Sequence, residues 1–384
     1  MYKRLIEKEI TESLKKAPVT AILGPRQCGK STIAKKITKH LKGSIYLDLE
    51  RPSDLAKLEN AEWFFMQNKA KLICIDEIQR KPDLFPLLRS IVDDSNKHGQ
   101  FLILGSATNT LLNQSSESLA GRIAYYKLTP FLQSEVNTDY SQEDLLVRGG
   151  FPRSVLAKTL NDSIVWRENF ITTYLERDLL QWVGTNSITM RKIWQMLAHY
   201  NGQTVNYSGL GNSLGVSNVT IKNYIDLLTG TYMVTAVKPY TNNLGKRLVK
   251  APKIYISDTG IAAALLGLSN FNEIAGHPSM GALWEAFVLA NITGHFPKAE
   301  ISFYRTAHGD EMDFILCNKR KIIAIECKTN VTPVLSKGAF RCINDISPIK
   351  TIVIAPVNKA WEYDKNIIIT PLPKALKLIK QLFS

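Results

Sequence analysis

Three absences limit what this 384-residue chain can be. It contains no run of about 18 uninterrupted apolar residues, so we predict no transmembrane helix. Its first sixteen residues mix charged side chains throughout and have no apolar signal-peptide core. It contains no internal repeat and no low-complexity tract. A membrane-spanning protein, an exported protein and a repeat protein are therefore not expected.

Cysteine is also scarce, and its distribution carries information about the compartment. The five cysteines are scattered, odd in number and free of metal-ligand spacing: Cys28, Cys74, Cys317, Cys327 and Cys342. This distribution predicts neither a disulfide framework nor a zinc site. We therefore expect a reducing, cytoplasmic environment.

Charge is the most unusual part of an otherwise ordinary composition. Hydrophobic residues make up 45% and charged residues 21%, as in globular proteins, and the length fits two or three domains. Lys and Arg outnumber Asp and Glu by 48 to 34, which gives a net charge of +14. Such an excess favours a polyanionic partner, nucleic acid ahead of an anionic membrane. Charge alone does not decide, because many basic proteins bind neither.

A phosphate-binding pattern lies near the start of the sequence. Val19–Leu23 reads as a buried strand, a glycine-containing loop follows, and a helical pattern runs from Thr32 to Leu41. Backbone N–H groups of such a loop surround phosphate oxygens, and the helix N-terminus adds the positive end of its dipole. Lys30 is expected to reach the β- and γ-phosphates of ATP, and Ser31 to bind Mg2+. The predicted nucleotide-binding residues are Gly24, Pro25, Arg26, Gln27, Cys28, Gly29, Lys30, Ser31 and Thr32.

Two carboxylates follow a second buried strand, Lys71–Ile75. Asp76 is expected to bind the nucleotide's Mg2+, and Glu77 to polarise the attacking water. A third strand, Phe101–Leu104, leads to Ser106, which is placed to sense the γ-phosphate or orient that water. Strands that alternate with helical patterns predict a parallel sheet with helices on both faces. The sequence therefore predicts an ATP-hydrolysing domain.

Residues 1–150 resemble the prokaryotic branch of the AAA+ ATPases. The resemblance is carried by Gly24–Ser31 and Ile75–Gln79, with further similarity at Gly105–Ser106 and Ser118–Arg122. It implies that Arg122 contacts phosphate, within the subunit or from a neighbouring one. The alternative for Arg122 is a structural, helix-capping role. Arg177 is a weaker candidate for the phosphate contact. The resemblance makes a ring-shaped homo-oligomer an option and leaves a monomer or dimer open.

A helix-turn-helix pattern occupies the middle of the chain. After a helix at 191–200, two short helices at 207–214 and 218–228 are joined by a turn with Gly215, and Ser217 is the expected N-cap. The inward-facing residues are predicted to be Val219, Tyr224, Ile225 and Leu228. The residues predicted to face DNA are Ser217, Asn218, Thr220, Lys222 and Asn223.

A wing is expected to follow these helices. Tyr232–Val237 reads as one of its strands. The loop after it carries basic side chains placed to contact DNA phosphates: Lys238, Lys246, Arg247, Lys250 and Lys253. The alternative is a winged-helix domain that serves only for packing or for protein contacts.

An acidic hairpin is predicted in the last third of the chain. Two strand patterns, beginning at Asp313 and ending at Lys328, flank a predicted turn at Lys319–Arg320. With that turn, Asp313 lies opposite Glu326, and Lys328 shares their side because alternate strand residues share a face. The carboxylates are expected to bind Mg2+, and Lys328 to position or deprotonate a water.

This order of residues is similar to that of PD-(D/E)xK nucleases, which have the restriction-endonuclease-like fold. The stretch also looks like an uncharacterised domain that often follows this ATPase branch. The resemblance implies that Glu285, on a helix at 281–290, joins Asp313 and Glu326 as a metal ligand, with Lys328 as the catalytic lysine. The alternative is a degenerate nuclease fold in which these residues form a salt-bridged hairpin.

Together these patterns predict an α/β protein of four segments. A P-loop AAA+-like domain with a parallel sheet is expected over 1–150, linking helices over 151–190, a winged-helix-like domain over 191–255 and an α/β nuclease-like domain over 256–384. The predicted function is ATP-gated or ATP-driven action on DNA, including branched or mobile-element DNA. The alternative is a nucleotide-operated switch that recruits protein partners in signalling or defence.

Overall fold

A division between Phe131 and Leu132 separates the chain into two units. The computed structural model describes residues 2–95, 97–106, 118–175, 187–241 and 249–384. One unit consists of Met1–Phe131 with Gly230–Tyr232, and the other of Leu132–Thr229 with Met233–Ser384. The division precedes the predicted boundary at residue 150, and the three segments predicted after it belong almost entirely to one unit.

The first unit contains a five-stranded sheet in which every described pairing is parallel. Its strands are β1 (Val19–Gly24), β2 (Ile45–Asp48), β3 (Ile73–Asp76), β4 (Phe101–Ser106) and β5 (Ile123–Lys127). They lie in the order β2-β3-β4-β1-β5. A parallel sheet is covered on both faces, which explains why every residue of β1 and of β3 is buried.

Helices cover both faces of this sheet. They are α1 (Glu7–Ser13), α2 (Lys30–His40), α3 (Pro52–Ala56), α4 (Ala61–Gln67) and α5 (Leu84–Ser95), with a 3-10 helix at Ile78–Arg80. Alternate residues of β1 enter different cores: Ala21 packs with Leu88 of α5, whereas Ile22 packs with Ile33 of α2. This arrangement confirms the predicted parallel sheet between two helical layers.

The second unit contains a nine-stranded mixed sheet. Its strands are β6 (Gln203–Thr204), β7 (Val234–Pro239), β8 (Lys253–Ile256), β9 (Glu300–Arg305), β10 (Glu311–Asn318), β11 (Lys321–Cys327), β12 (Lys350–Ile354), β13 (Trp361–Asp364) and β14 (Ile367–Thr370). Their order is β13-β14-β12-β11-β10-β9-β7-β8-β6. Because β7 pairs with both β8 and β9, the predicted wing and the predicted nuclease-like part share one sheet.

Helices pack around this second sheet. They are α6 (Gln133–Val136), α7 (Gln142–Arg148), α8 (Pro152–Val155), α9 (Leu160–Thr173), α10 (Ser187–His199), α11 (Tyr207–Leu214), α12 (Asn218–Gly230), α13 (Thr259–Leu265), α14 (Phe271–Gly276), α15 (Met280–His295), α16 (Lys337–Ile346) and α17 (Leu372–Phe383). In the part of the chain that the structure describes, no helix has the length and apolar character needed to cross a bilayer.

Two helical glycines of the second unit offer a matched test of its packing. A Cβ atom on Gly260 would lie 2.3 Å from the carbonyl oxygen of Arg148, whereas one on Gly281 would meet nothing within 4 Å. Gly260→Ala is therefore expected to lower the free energy of unfolding by about 1–3 kcal/mol. Gly281→Ala is expected to leave it unchanged or raise it by up to about 1 kcal/mol. Urea unfolding measures both, and equal effects would contradict the close approach at Gly260.

Candidate functional site

The phosphate loop has the backbone geometry that its sequence predicts. It leaves β1 at Gly24, where a Cβ atom would lie 2.3 Å from the carbonyl oxygen of Leu128, so only glycine fits without a shift. Gly29 has a φ of 103° and immediately precedes the first residue of α2. The loop therefore ends directly at a helix N-terminus, the position at which backbone N–H groups bind phosphate.

Lys30 is the first residue of α2 and points back across the loop. Its side chain is 5% exposed, and its Nζ donates hydrogen bonds to the carbonyl oxygens of Gly24 (3.0 Å) and Pro25 (2.9 Å). The ammonium is thus held within the curve of the loop. A point charge at this place suits the β- and γ-phosphates of a nucleotide.

Parallel pairing brings three strand ends to the same edge of the sheet. Gly24 at the end of β1 lies in register with Ser106 at the end of β4, and β4 separates β1 from β3. Asp76 ends β3 and Glu77 follows it. Ligands of open α/β sheets bind outside the carboxyl ends of the strands, which is where the predicted residues converge. The structure describes the backbone of Ser106 but not its side chain.

Asp76 is a buried carboxylate with donors on both oxygens. It is 3% exposed, its Oδ1 accepts from the Glu77 backbone N–H at 3.0 Å, and its Oδ2 accepts from the Tyr46 hydroxyl. Burial, followed by the hydrogen bond to Asp76, raises the pKa of Tyr46, while a hydrogen bond with Ser31 lowers it. Tyr46 therefore contacts both residues predicted to hold the metal ion.

Glu77 is held in a backbone conformation that few non-glycine residues adopt. Its φ is 56°, and its carboxylate accepts a hydrogen bond from the Gln79 side chain. Burial raises the pKa of Glu77, Lys30 lowers it, and Asp76 raises it further. A carboxylate with a raised pKa next to a phosphate site has the properties of a general base.

Arg122, predicted to contact phosphate, has an observed partner in the first unit. Its Nη2 donates to Asp93 Oδ2 at 2.9 Å, its Nε donates to the other oxygen, and its Nη1 donates to the carbonyl oxygen of Ala120. These contacts support the alternative, a structural role for Arg122. Its contact with phosphate stays a prediction. Arg177 lies outside the described residues.

The helix-turn-helix pattern corresponds to α11 and α12. Gly215 has a φ of 66°, and the Ser217 hydroxyl accepts from the Thr220 backbone N–H at 3.1 Å, which confirms the predicted N-cap. Asn218, Lys222 and Asn223 are exposed together with Ser217, and Thr220 is half-buried. These residues form the outward face of α12, as predicted.

Three predictions for this region were wrong. Lys238 is not in a loop: it lies in β7, where it is exposed. Val219 does not pack inward: it is 67% exposed, because the buried stripe of α12 begins at Ile221 and continues through Tyr224, Ile225 and Leu228. Lys253 is not in a phosphate-contacting loop: it begins β8 and is 1% exposed. Lys250 is exposed, whereas Lys246 and Arg247 lie outside the described residues.

The acidic hairpin has the predicted turn and register. Asn318 pairs with Lys321 across Lys319–Arg320, and the same register continues to the pair of Phe314 with Ile325. The next residues outward are Asp313 and Glu326, both buried. Asp313 Oδ2 accepts from the backbone N–H of Cys327 at 2.8 Å, which fixes its carboxylate beside β11.

The predicted acids converge on an ammonium group that the prediction did not place there. Lys253 Nζ pairs with Glu311 and lies 3.7 Å from Glu285 Oε2 and 3.9 Å from Asp313 Oδ1. Lys328 Nζ lies 2.8 Å from Glu326 Oε1. We call Lys253, Glu285, Glu311, Asp313, Glu326 and Lys328 the carboxylate centre. Among the described residues, no three His, Cys, Asp or Glu side chains are arranged to hold a metal ion.

Burial dominates the acid–base properties of the carboxylate centre. It raises the pKa values of Glu285 and Glu326, and the neighbouring Asp313 raises both further. Burial also acts to lower the pKa of Lys253, but Glu285, Asp313 and Glu311 outweigh it and the net direction is upward. The lysine therefore keeps its charge, and the acids beside it are the reason.

Comparisons with known proteins agree with the geometry of the first unit. Residues 16–137 match the protein family described as "AAA domain". The solved structure of the Walker-type ATPase PABY2304 of Pyrococcus abyssi covers 69% of this chain and 96% of its own, with a TM-score of 0.50 and 15% identity. That likeness concerns the fold. The first unit is therefore a P-loop ATPase domain of the AAA type.

The whole chain is similar to proteins of two mycobacteria. Uncharacterized protein Rv2008c of Mycobacterium tuberculosis and Uncharacterized protein Mb2031c of Mycobacterium bovis are each 35% identical over 368 residues, 96% of this chain and 83% of theirs. The chain belongs to the family of these proteins. A Haemophilus influenzae protein is 26% identical over 290 residues, 66% of this chain and 70% of its own.

Two further family matches cover the second unit. Residues 139–272 match "Domain of unknown function (DUF8612)", and residues 280–375 match "Domain of unknown function (DUF4143)". The predicted C-terminal residues Glu285, Asp313, Glu326 and Lys328 all lie within the second match. These descriptions assign no activity, so the nuclease resemblance stays a prediction.

Sequence patterns missed several residues that shape the sites. Arg4 donates to the carbonyl oxygens of Cys28 (3.1 Å) and Thr129 (2.6 Å) and so holds the back of the phosphate loop. The contact of Tyr46 with Asp76 could be found only from the pairing of β2 with β3. That pairing aligns Asp48 with Asp76, and Tyr46 lies two residues before Asp48 on the same face of β2. A local pattern contains no such cross-strand information.

The hydrogen bond from Tyr46 can be tested by removing one oxygen atom. Tyr46→Phe leaves Asp76 Oδ2 without its donor, so the free energy of unfolding of the first unit is expected to fall by about 1–3 kcal/mol. Tyr126→Phe is the control, because Tyr126 lies on the same sheet and its hydroxyl has no hydrogen-bond partner among the described residues. Its expected effect is within about 0.5 kcal/mol. Equal losses in urea unfolding would refute the role of Tyr46.

Proposed function

We propose that the protein hydrolyses ATP with Mg2+ and uses its nucleotide state to gate or drive action on DNA. The observation that carries the proposal is the convergence of Lys30, Asp76 and Glu77 at the carboxyl edge of a parallel sheet. A loop that only bound phosphate would not require two further carboxylates at that edge.

Each residue at this edge has a role that its position supports. Lys30 would neutralise the β- and γ-phosphates, and Ser31 and Asp76 would hold Mg2+, which prefers oxygen ligands and few protein carboxylates. Glu77 would orient and polarise the attacking water. Ser106, at the end of β4 between β1 and β3, would contact the γ-phosphate or that water. Arg122 would add charge near the phosphate only after leaving Asp93.

Two features support DNA as the partner. The chain has a net charge of +14, which favours a polyanion. The α12 helix presents Ser217, Asn218, Lys222 and Asn223 on an exposed face that starts at a capped N-terminus, as the recognition helix of a helix-turn-helix does. Lys250 is exposed nearby in sequence and would contact the phosphate backbone.

One observation favours a second candidate function. The carboxylate centre already contains its own cation, Lys253, whereas metal-dependent cleavage of DNA requires open positions on a metal ion. A nucleotide-operated switch that recruits protein partners needs no such cleavage. In that case the second unit keeps a nuclease-like arrangement of residues without nuclease activity.

DNA binding and ATP hydrolysis can be tested on one pair of variants. Duplex DNA at low salt is expected to bind the protein and to raise its Mg2+-dependent ATPase rate. Lys222→Ala is expected to weaken binding and to reduce the slope of log K against log salt by about one. Lys374→Ala removes the same charge from an exposed position of α17 and is expected to change neither.

Fluorescence anisotropy with labelled DNA and a phosphate-release assay provide these measurements. If DNA neither binds nor stimulates hydrolysis at low salt, the DNA proposal fails and the switch remains. If both lysine variants weaken binding equally, the contact is diffuse and α12 is not the recognition helix.

A further inference from the structure

Lys253 is a fully buried lysine, although the sequence pattern placed it in a loop that contacts DNA phosphates. It begins β8, is 1% exposed, and has three carboxylates within 4 Å of Nζ, those of Glu285, Glu311 and Asp313. Lysine is almost never fully buried without a partner, because removing an ammonium from water costs several kcal/mol. Three acidic neighbours are the compensation that such a charge requires.

These acids reach Lys253 from different elements. Glu285 lies on α15, and Glu311 and Asp313 lie on β10, two residues apart and on one face of the strand. Lys253 itself lies on β8, separated from β10 by β7 and β9 in the sheet. The ammonium therefore joins a helix to two strands that are not neighbours, and it does so inside the protein.

Other groups also donate to or pair with oxygens of the carboxylate centre. The Tyr255 hydroxyl donates to Glu285 Oε2 at 2.7 Å, Arg305 pairs with Glu311 at 3.3 Å, and Asp313 accepts from the Cys327 backbone. Lys328 pairs with Glu326 Oε1. Glu326 Oε2 is buried without a hydrogen-bond partner among the described residues.

A divalent metal ion does not fit this arrangement. An ion placed between Glu285 and Asp313 would lie beside the Lys253 ammonium, and like charges at such a distance repel strongly in a low-dielectric interior. The point on which the oxygens of Glu285, Glu311 and Asp313 converge is already taken by the Lys253 ammonium. The lysine among these acids therefore disagrees with the binding of a catalytic metal ion, which the resemblance to PD-(D/E)xK nucleases implies.

We propose that Lys253 is the resident cation of the carboxylate centre and closes it to divalent metal ions. The ammonium supplies the positive charge that holds Glu285, Glu311 and Asp313 together, and β8 contributes it permanently. The centre is then a fixed polar core and not a site for metal-dependent cleavage. This inference is independent of ATP hydrolysis by the first unit and of DNA binding by α12.

Manganese binding to the full-length protein tests the inference. Asp76→Asn is introduced into every variant, so that the nucleotide site contributes no metal ligand from that position. This parent protein is expected to show no tight Mn2+ site by electron paramagnetic resonance without nucleotide. Adding Lys253→Met removes the ammonium while keeping an unbranched side chain of similar length. It is expected to create one Mn2+ site at least about tenfold tighter than any in the parent, because the acids then lack their counter-charge.

A third protein, with Asp313→Asn added to Lys253→Met, is expected to lose the new site. The inference is overturned if the parent binds Mn2+ tightly and loses it on Asp313→Asn, or if folded Lys253→Met gains no site. Should Lys253→Met fail to fold, the parent and its Asp313→Asn derivative still decide, since a tight site in the parent that depends on Asp313 contradicts a resident ammonium.

Discussion

Parallel pairing of β1, β4 and β3 is the constraint on which the ATPase unit depends. It aligns Gly24 with Ser106 and places Asp76 and Glu77 at the same edge, so residues more than fifty positions apart meet at one end of a sheet. Burial of both sheet faces enforces this pairing, because each strand must offer apolar residues to both helical layers. The polar residues Asp76 and Glu77 lie at and just after the carboxyl end of β3.

Asp76 of the first unit and Asp313 of the second are buried carboxylates with different kinds of partner. Asp76 accepts hydrogen bonds from neutral donors, the Tyr46 hydroxyl and a backbone N–H, so its charge is oriented but not cancelled by a cation. Asp313 lies 3.9 Å from the Lys253 ammonium, which offsets its charge directly. A carboxylate of the first kind is suited to bind a cation, and one of the second kind already has a cation beside it.

Local sequence patterns predicted what local interactions determine. The phosphate loop, the N-cap at Ser217 and the hairpin turn at Lys319–Arg320 each depend on neighbouring residues, and the hairpin register follows directly from that turn. The prediction that Val219 packs inward was wrong, because the elements that pack against a helix determine which of its residues are buried. The four-residue repeat from Ile221 to Ile225 describes the observed stripe better.

Pairing between distant strands produced the features that no local pattern contains. The sequence pattern placed Lys253 in a basic loop. Its burial depends on β8 belonging to the same sheet as β10, with β7 and β9 between them. The predicted domain boundary at residue 255 fell inside β8 for the same reason. Tyr46 likewise meets Asp76 only because β2 pairs with β3. Non-local contacts of this kind require the folded sheet.

We propose that the strand ends of the first unit form a hydrolytic site with Glu77 as its base. Single-turnover hydrolysis of pre-bound ATP by wild-type protein and by Glu77→Gln tests it most directly. ATP is expected to stay bound to the variant while the rate of its hydrolysis falls by about 10²–10⁴-fold. An unchanged hydrolysis rate in the variant would contradict a role for Glu77 as the base.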